Sequence, residues 1–342
     1  MAHGGRGAGW RDEAASSLLA RHLRELELEG PVLVMGDVRS EVPRELAAMG
    51  LDVAEWNRRA LGGRRATPWP PEGPFGAVTL RMPRAKEELS MALHGAAGAL
   101  KPGGTVLVYG AKDEGIGSAS ARLEPLLEGV GTVAVGGHCR VLGGRLRAGL
   151  EGHRRTLEAW REVGPLEYGD FSGDWVSYPG VFAHGRLDLG TRLLLDALPA
   201  LPAKGRILDY GCGSGVVGAV VRHRYPQVRL ELLDLDTVAL EAARENVPGA
   251  RILLGDGLPR AGDEAYDAIV TNPPFHRGKA EEAEMITHLV QEAPRILSSE
   301  GGLVLVAQRR IEVEGAFRRS FRRVEMRADG GGFRVWEGWK PT

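Results

Sequence analysis

The residues with the plainest chemical meaning are Asn272-Pro273-Pro274-Phe275, which follow the apolar run at 268–271. Two consecutive prolines stiffen a turn and remove two N–H donors. What remains is an acceptor array, the Asn272 side-chain oxygen with the Pro273 carbonyl, followed by the ring of Phe275. A planar exocyclic amine needs such a set: acceptors for its N–H bonds and a ring to stack on. Asn272, Pro273, Pro274 and Phe275 are therefore the catalytic candidates. Upstream lies Asp209-Tyr210-Gly211-Cys212-Gly213-Ser214-Gly215, a strand end running into a glycine-rich turn that opens a helix. Bare glycine backbone admits a ligand closely, and the unpaired N–H groups of a helix start suit an anion or carboxylate. Gly213, Gly215 and Gly218 also satisfy the dinucleotide pattern G-x-G-x-x-G. Its first glycine should directly follow the strand, however, and counting from Gly211 puts Val216 at the third glycine position.

Two further strands end in acid. In Leu232-Leu233-Asp234-Leu235-Asp236 a carboxylate can chelate the two hydroxyls of a ribose, which both NAD and S-adenosylmethionine carry. We assign Asp234 to the ribose and Asp236 to the N-cap of the helix that starts at Thr237. In Ile252-Leu253-Leu254-Gly255-Asp256 the acid is either an acceptor for the exocyclic amine of an adenine or an ordinary turn aspartate.

These residues need a scaffold that gathers strand ends. Apolar strand-like runs fall at 31–38, 51–56, 76–80, 105–109 and 132–135 in the first half, and at 206–210, 228–233, 251–254, 268–271, 303–307 and 322–326 in the second. Helical spacing at 240–246 and 281–297 supplies crossovers, the pattern of βαβ units and a parallel sheet. Ligands of such sheets sit outside the carboxyl ends of the strands. Residues 151–185 are mixed in character, with turn signals at Gly164-Pro165 and Pro179-Gly180, and a domain boundary is expected near residue 165.

The halves look duplicated. Residues 75–83 and 100–108 of the first half match 266–274 and 297–306 of the second: strand, proline turn, helix, Gly-Gly turn, strand. The first half, however, has Arg81-Met82-Pro83-Arg84 where the second has Asn272 to Phe275, and only Met35-Gly36-Asp37 where the second has its glycine loop.

With 342 residues, 43% hydrophobic and 26% charged, the chain is globular and long enough for two domains. Its 44 basic and 45 acidic residues give net −1, so any nucleic-acid contact must come from a local patch. Arginine far outnumbers lysine, which with 49 Gly and 20 Pro reads first as GC-rich coding. Two cysteines, Cys139 and Cys212, make a disulfide framework or cysteine-based zinc site unexpected and fit a reducing cytosol. No run is apolar over the length of a membrane span, and the first residues lack a signal-peptide core. The segment 309–342 carries nine basic and five acidic residues, which suits either RNA phosphates or a charged strand edge. Asp12-Glu13 and Glu281, Glu282 and Glu284 read as solvated helix faces, and His276 as a bystander near the target base.

Residues 206–275 resemble a class I S-adenosylmethionine-dependent methyltransferase of the Asn-Pro-Pro-Phe/Tyr amino-methylating type. The run Tyr178-Pro-Gly-Val-Phe-Ala-His-Gly-Arg-Leu-Asp-Leu-Gly-Thr-Arg-Leu-Leu-Leu resembles the segment before the catalytic core in the RsmC family. Members of that family are ribosomal small-subunit RNA guanine-N2 methyltransferases with a degenerate N-terminal domain and a working C-terminal one. The resemblance implies an α/β protein of tandem Rossmann-like class I methyltransferase domains, each a mainly parallel sheet of seven strands flanked by helices. Residues 1–165 would be the degenerate domain, without cofactor, positioning RNA through Arg81 or Arg84 or serving as structural support. Residues 166–342 would be catalytic. It implies S-adenosylmethionine as cofactor, held by Asp209, Gly211, Cys212, Gly213, Asp234, Asp256 and Thr191. It also implies 16S ribosomal RNA or the small ribosomal subunit as partner, no metal, no membrane, a monomer, and a cytoplasmic location. Alternatives are methylation of adenine N6, cytosine N4 or a protein glutamine, a non-catalytic RNA-binding assembly factor, and a dehydrogenase.

Overall fold

The computed structural model describes residues 9–149, 153–260, 262, 265–273 and 279–340. The chain divides into two compact units, Met1–Arg59 with Arg64–Arg161, and Ala60–Gly63 with Glu162–Thr342. The expected boundary near residue 165 falls inside a strand of the second unit.

In the first unit, helix α1 (Trp10–His22) leads into β1 (Val32–Met35), α2 (Glu41–Ala48), β2 (Val53–Trp56), β3 (Phe75–Arg81), α3 (Lys86–Ala99) and β4 (Leu100–Ala111). The short α4 (Ser120–Leu123), β5 (Leu127–Gly136) and β6 (Cys139–Leu146) follow. The sheet order is β2-β1-β3-β4-β6-β5, parallel except for β6 and β5. Strands β1 and β3 are buried along their whole length, as parallel strands covered on both faces must be.

The second unit opens with a hairpin, β7 (Glu162–Tyr168) and β8 (Phe171–Ser177), then α5 (Leu189–Asp196). The alternation continues through β9 (Arg206–Tyr210), α6 (Val216–Arg224), β10 (Arg229–Asp234), α7 (Thr237–Asn246), β11 (Arg251–Leu254) and β12 (Tyr266–Thr271). It ends with α8 (Lys279–Glu292), β13 (Leu297–Gln308), α9 (Glu314–Ser320), β14 (Arg323–Gly330) and β15 (Phe333–Trp339). The sheet order is β11-β10-β9-β12-β13-β15-β14, with the last hairpin antiparallel. Strand order reverses between β9 and β12, which makes the carboxyl ends of those two strands the switch-point crevice.

The two sheets share a register. Phe75 pairs with Leu100 and Tyr266 with Leu297, each followed by an irregularity, after which Ala77 meets Thr105 and Ala268 meets Gly302. Arg81 therefore occupies the place of Asn272. The first sheet has six strands and not the seven expected. The missing one is the counterpart of β11, and between β2 and β3 stand Pro68, Pro70, Pro71 and Pro74, which cannot donate to a ladder. Strand β6 is not among the apolar runs of the sequence, and it carries Gly143-Gly144 in its middle. A Cβ at Gly143 would lie 2.8 Å from Val133 Cγ2, so glycine there is a packing requirement inside the sheet.

Candidate active site

Strand β9 hands the chain to the glycine loop, and the loop is tied to the end of β10. Gly211 N and Cys212 N both donate to Leu233 O, at 2.8 and 3.0 Å. Gly213 N donates to Asp234 Oδ2 at 2.8 Å, and Asp236 N to Asp234 Oδ1 at 2.9 Å. Gly215, at φ 91°, starts α6 in the left-handed region where a side chain is strained. A Cβ at Gly213 would meet nothing within 4 Å, so the loop presents bare backbone to open space. At Gly218 the opposite holds: a Cβ would sit 2.5 Å from Leu232 Cδ2, and its N–H donates to Asp209 Oδ2 at 2.9 Å. Asn246 braces the loop from behind, donating to Ser214 O at 3.0 Å and Val176 O at 2.8 Å, while Trp175 Nε1 donates to Ser214 Oγ at 3.1 Å.

Asp209 is only 2% exposed, and burial, reinforced by the charge of Asp234, pushes its carboxyl up to about 7. Asp234 is raised by burial and by Asp236, against the backbone N–H groups that it accepts. Burial, with Asp234 and Asp209 close by, pushes the Cys212 thiol well up, so it lines the cleft as an apolar group. Asp236 caps α7 as the sequence indicates, accepting from Val238 N and Ala239 N.

Asn272 stands at the end of β12, where Thr271 Oγ1 donates to Tyr210 O at 2.7 Å and ties the strand to β9. Its amide nitrogen donates to Thr191 Oγ1 at 2.8 Å and to Asp188 Oδ2 at 3.2 Å. Asp188 is the N-cap of α5 and accepts from Gly190 N and Thr191 N. A carboxylate can only accept, so the NH2 end of Asn272 must face it. The other end, Oδ1, is buried with no hydrogen-bond partner. One cleft is lined by Asp209, Gly211, Cys212, Gly213, Asp188, Thr191 and Asn272 together.

Asp256, like Asp234, is not among those lining residues. It is exposed, and its Oδ2 accepts from Gly62 N at 2.5 Å, inside the second unit. Thr191 lines the cleft, but its hydroxyl is already committed to Asp188 and Asn272. Pro273 is buried, whereas Pro274, Phe275 and His276 lie outside the described residues. Asp188 was missed as a functional residue; its only local signal is an N-cap aspartate three residues before Thr191. A roomier hollow lies at the opposite ends of the strands, bordered by Arg206, Glu231, Arg251, Arg260, Tyr266 and Arg295, away from the carboxyl ends where ligands of such sheets bind.

In the first unit Arg81 is not the phosphate contact expected of it. It is 6% exposed, with its guanidinium donating to Asp12 Oδ1 at 3.0 Å, Glu114 Oε1 at 2.8 Å and Met82 O at 3.2 Å. Asp12 is thus half-buried against Arg81 and not a solvated face. Glu282 is buried too, accepting from Arg310 at 2.6 Å. Arg84 is exposed. Where the second unit has its glycine loop, Asp37 accepts from Tyr109 OH at 2.7 Å, Ser16 Oγ at 3.0 Å and Arg39 N at 2.7 Å. The basic C-terminal segment is largely ion-paired within itself, through Arg318–Glu314, Arg323–Glu325, Arg334–Asp329 and Arg309–Asp329.

Residues 173–337 match the methyltransferase small domain, and residues 16–161 match the methyltransferase small domain N-terminal family. The ribosomal RNA small subunit methyltransferase C of Pseudomonas aeruginosa is 35% identical over 329 residues, covering 93% of this chain and 96% of its own. The protein of the same name from Hahella chejuensis is 32% identical over 299 residues, 83% of this chain and 86% of its own. The solved T. thermophilus 16S rRNA N2 G1207 methyltransferase, in complex with AdoMet and guanosine, superposes with a TM-score of 0.80 over 96% of this chain and 92% of its own. At 20% sequence identity that likeness speaks for the fold. No helix among the described residues is long and apolar enough to cross a membrane. Matched along most of its length by relatives at 32% and 35% identity, the chain belongs to the ribosomal RNA small subunit methyltransferase C family.

Proposed function

We propose that the chain transfers the methyl group of S-adenosylmethionine to the exocyclic N2 of a guanine in small-subunit ribosomal RNA, in the cytoplasm where that RNA is assembled. The observation that carries this is the buried, unpartnered Oδ1 of Asn272, an acceptor held at the rim of the glycine-loop cleft. The donor set fits the cofactor: open backbone at Gly213, a buried carboxyl at Asp209 for a cationic ligand, and Asp234 at the strand end for a ribose. Asp234 already accepts two backbone N–H bonds, but each carboxylate oxygen has a second lone pair for a hydroxyl.

When bound, S-adenosylmethionine supplies an electrophilic methyl group on a positively charged sulfonium. The guanine amine is a poor nucleophile because its lone pair is delocalised into the ring. Asn272 Oδ1 accepts one of its N–H bonds, which favours a pyramidal nitrogen and aims the lone pair into the cleft. That contribution is orientation and charge placement, without a strong base: the sulfonium leaves as a neutral thioether, and the cationic methylated amine, a strong acid, sheds its proton to water afterwards. The Pro273 carbonyl is the second acceptor of the set.

The first unit would carry no second transfer site. In support, the place of Asn272 is taken by a guanidinium engaged by two carboxylates and the Met82 carbonyl, and the place of the glycine loop by a buried Asp37–Tyr109 pair. Titration calorimetry of the full chain should show one S-adenosylmethionine bound per chain and no NAD; two sites, or NAD in place of S-adenosylmethionine, would overturn the assignment.

A further inference from the structure

We propose that Asp188 and Thr191 are positioning residues which set the polarity of the Asn272 amide, through a relay of hydrogen bonds that begins at an acceptor-only carboxylate. The inference rests on Asn272 being the amine acceptor. The two ends of a carboxamide have nearly the same shape, so packing alone does not choose between them. A reversed Asn272 would point N–H donors at an amine that itself offers donors, and the contact would become repulsive.

The choice is made electrically. Asp188 Oδ2 has no proton to give, so the Thr191 hydroxyl must donate to it. The lone pairs of Thr191 Oγ1 are thereby turned towards Asn272, which can meet them only with its NH2 group, at 2.8 Å. The same NH2 group reaches Asp188 directly at 3.2 Å. Oδ1 is left pointing at the other side, buried and without a partner. Asp188 is itself immobilised, because it accepts from Gly190 N at 2.8 Å and Thr191 N at 3.2 Å as the cap of α5. Glycine at 190 leaves room for this: a Cβ there would lie 3.2 Å from Asp188 Oδ1 and 3.1 Å from Phe333 Cε1.

Asp188→Asn is the informative variant. Asparagine caps a helix as well as aspartate does, so α5 persists, yet its amide can present either donors or an acceptor to Thr191 and Asn272. The polarity is then no longer imposed. Thr191→Val removes the middle of the relay, and Thr191→Ser restores it. For Asp188→Asn and Thr191→Val we expect kcat to fall about 10-fold or more, as for an interaction that matters in the transition state. KM for RNA, the Kd for S-adenosylmethionine by titration and the melting temperature should stay near parental values, and Thr191→Ser should return kcat to within about threefold. In the protein without cofactor, the Asn272 side-chain NH2 should exchange with solvent slowly by NMR, and faster in Thr191→Val. Parental kcat in Asp188→Asn and Thr191→Val, in an experiment where Asn272→Ala abolishes turnover, overturns the relay and leaves the acceptor role standing. Parental turnover in Asn272→Ala overturns both. Loss of melting temperature in parallel with kcat, without rescue by serine, would reduce Asp188 and Thr191 to a structural cap and overturn the relay.

Discussion

Replacing Asp209 by asparagine tests the electrostatics of the cleft in the absence of any substrate. The carboxyl is 2% exposed and accepts the Gly218 N–H, while burial and Asp234 raise it from 3.8 to about 7. The folded protein therefore holds a proton over a pH range in which the unfolded chain has released it. Its contribution to stability is complete below pH 3.8 and is lost progressively as pH rises through about 7. At 1.36 kcal/mol per pH unit the whole effect approaches ~4 kcal/mol, and solvent relaxation makes roughly 2–4 kcal/mol the working range. Asparagine imitates the protonated acid and can still accept from Gly218. At pH 8 Asp209→Asn should be more stable than the parent by that amount, a melting shift of roughly 5–15 °C, and the gap should close towards pH 4. Urea unfolding of the cofactor-free chain from pH 4 to 8.5 measures it. A cationic ligand favours the ionised acid, so the affinity of the parent for S-adenosylmethionine should rise with pH up to about 7 and that of the variant should stay weak and flat. Parallel pH profiles for the two proteins, in stability and in affinity, would refute a buried, elevated Asp209.

Three other outcomes follow from the same geometry. Asp234→Ala should weaken S-adenosylmethionine binding by ~1.5–3 kcal/mol, the range of charge-assisted hydrogen bonds, and should loosen the loop at Gly213; calorimetry reads the first directly. Gly218→Ala should cost ~1–3 kcal/mol in denaturant unfolding, because its Cβ would overlap Leu232 Cδ2 at 2.5 Å. Arg81→Ala should destabilise the first unit by ~3–5 kcal/mol, since it strands Glu114 and Asp12 beside a buried gap, while leaving the salt dependence of RNA binding unchanged.

Much of the site was legible because its chemistry sits at strand ends. A glycine loop after β9, an acid after β10 and an Asn-Pro-Pro after β12 each announce themselves within a few residues, and a parallel sheet gathers their ends without further instruction. Asp236 as a helix cap was equally local. Asp188 was not legible, because its second role is a contact with Asn272, 84 residues away. Arg81 illustrates the same limit from the other side. Its correspondence to Asn272 could be read from the repeat, but its burial between Asp12 and Glu114 depends on α1 and on the turn after β4, which no local pattern announces. Asp256 reads as a second acid of the cofactor site by spacing alone, and its hydrogen bond from the Gly62 N–H, 194 residues away, is a contact no local pattern announces. In the fold, the prolines before β3 accounted for a missing strand only once the sheet was seen, and Gly143 and Gly144 interrupt the apolar pattern of β6 for a packing reason that lies in the neighbouring strand.

The central claim is methylation of a guanine amine, and the product itself tests it most directly. Small-subunit ribosomal RNA lacking the modification would be incubated with the full chain and S-adenosylmethionine bearing a deuterated methyl group, digested to nucleosides and examined by mass spectrometry. Deuterated N2-methylguanosine is the predicted product, absent when Asn272→Ala replaces the parent. Label in N6-methyladenosine, in N4-methylcytidine or in protein, or no label transferred to RNA at all, would contradict the account.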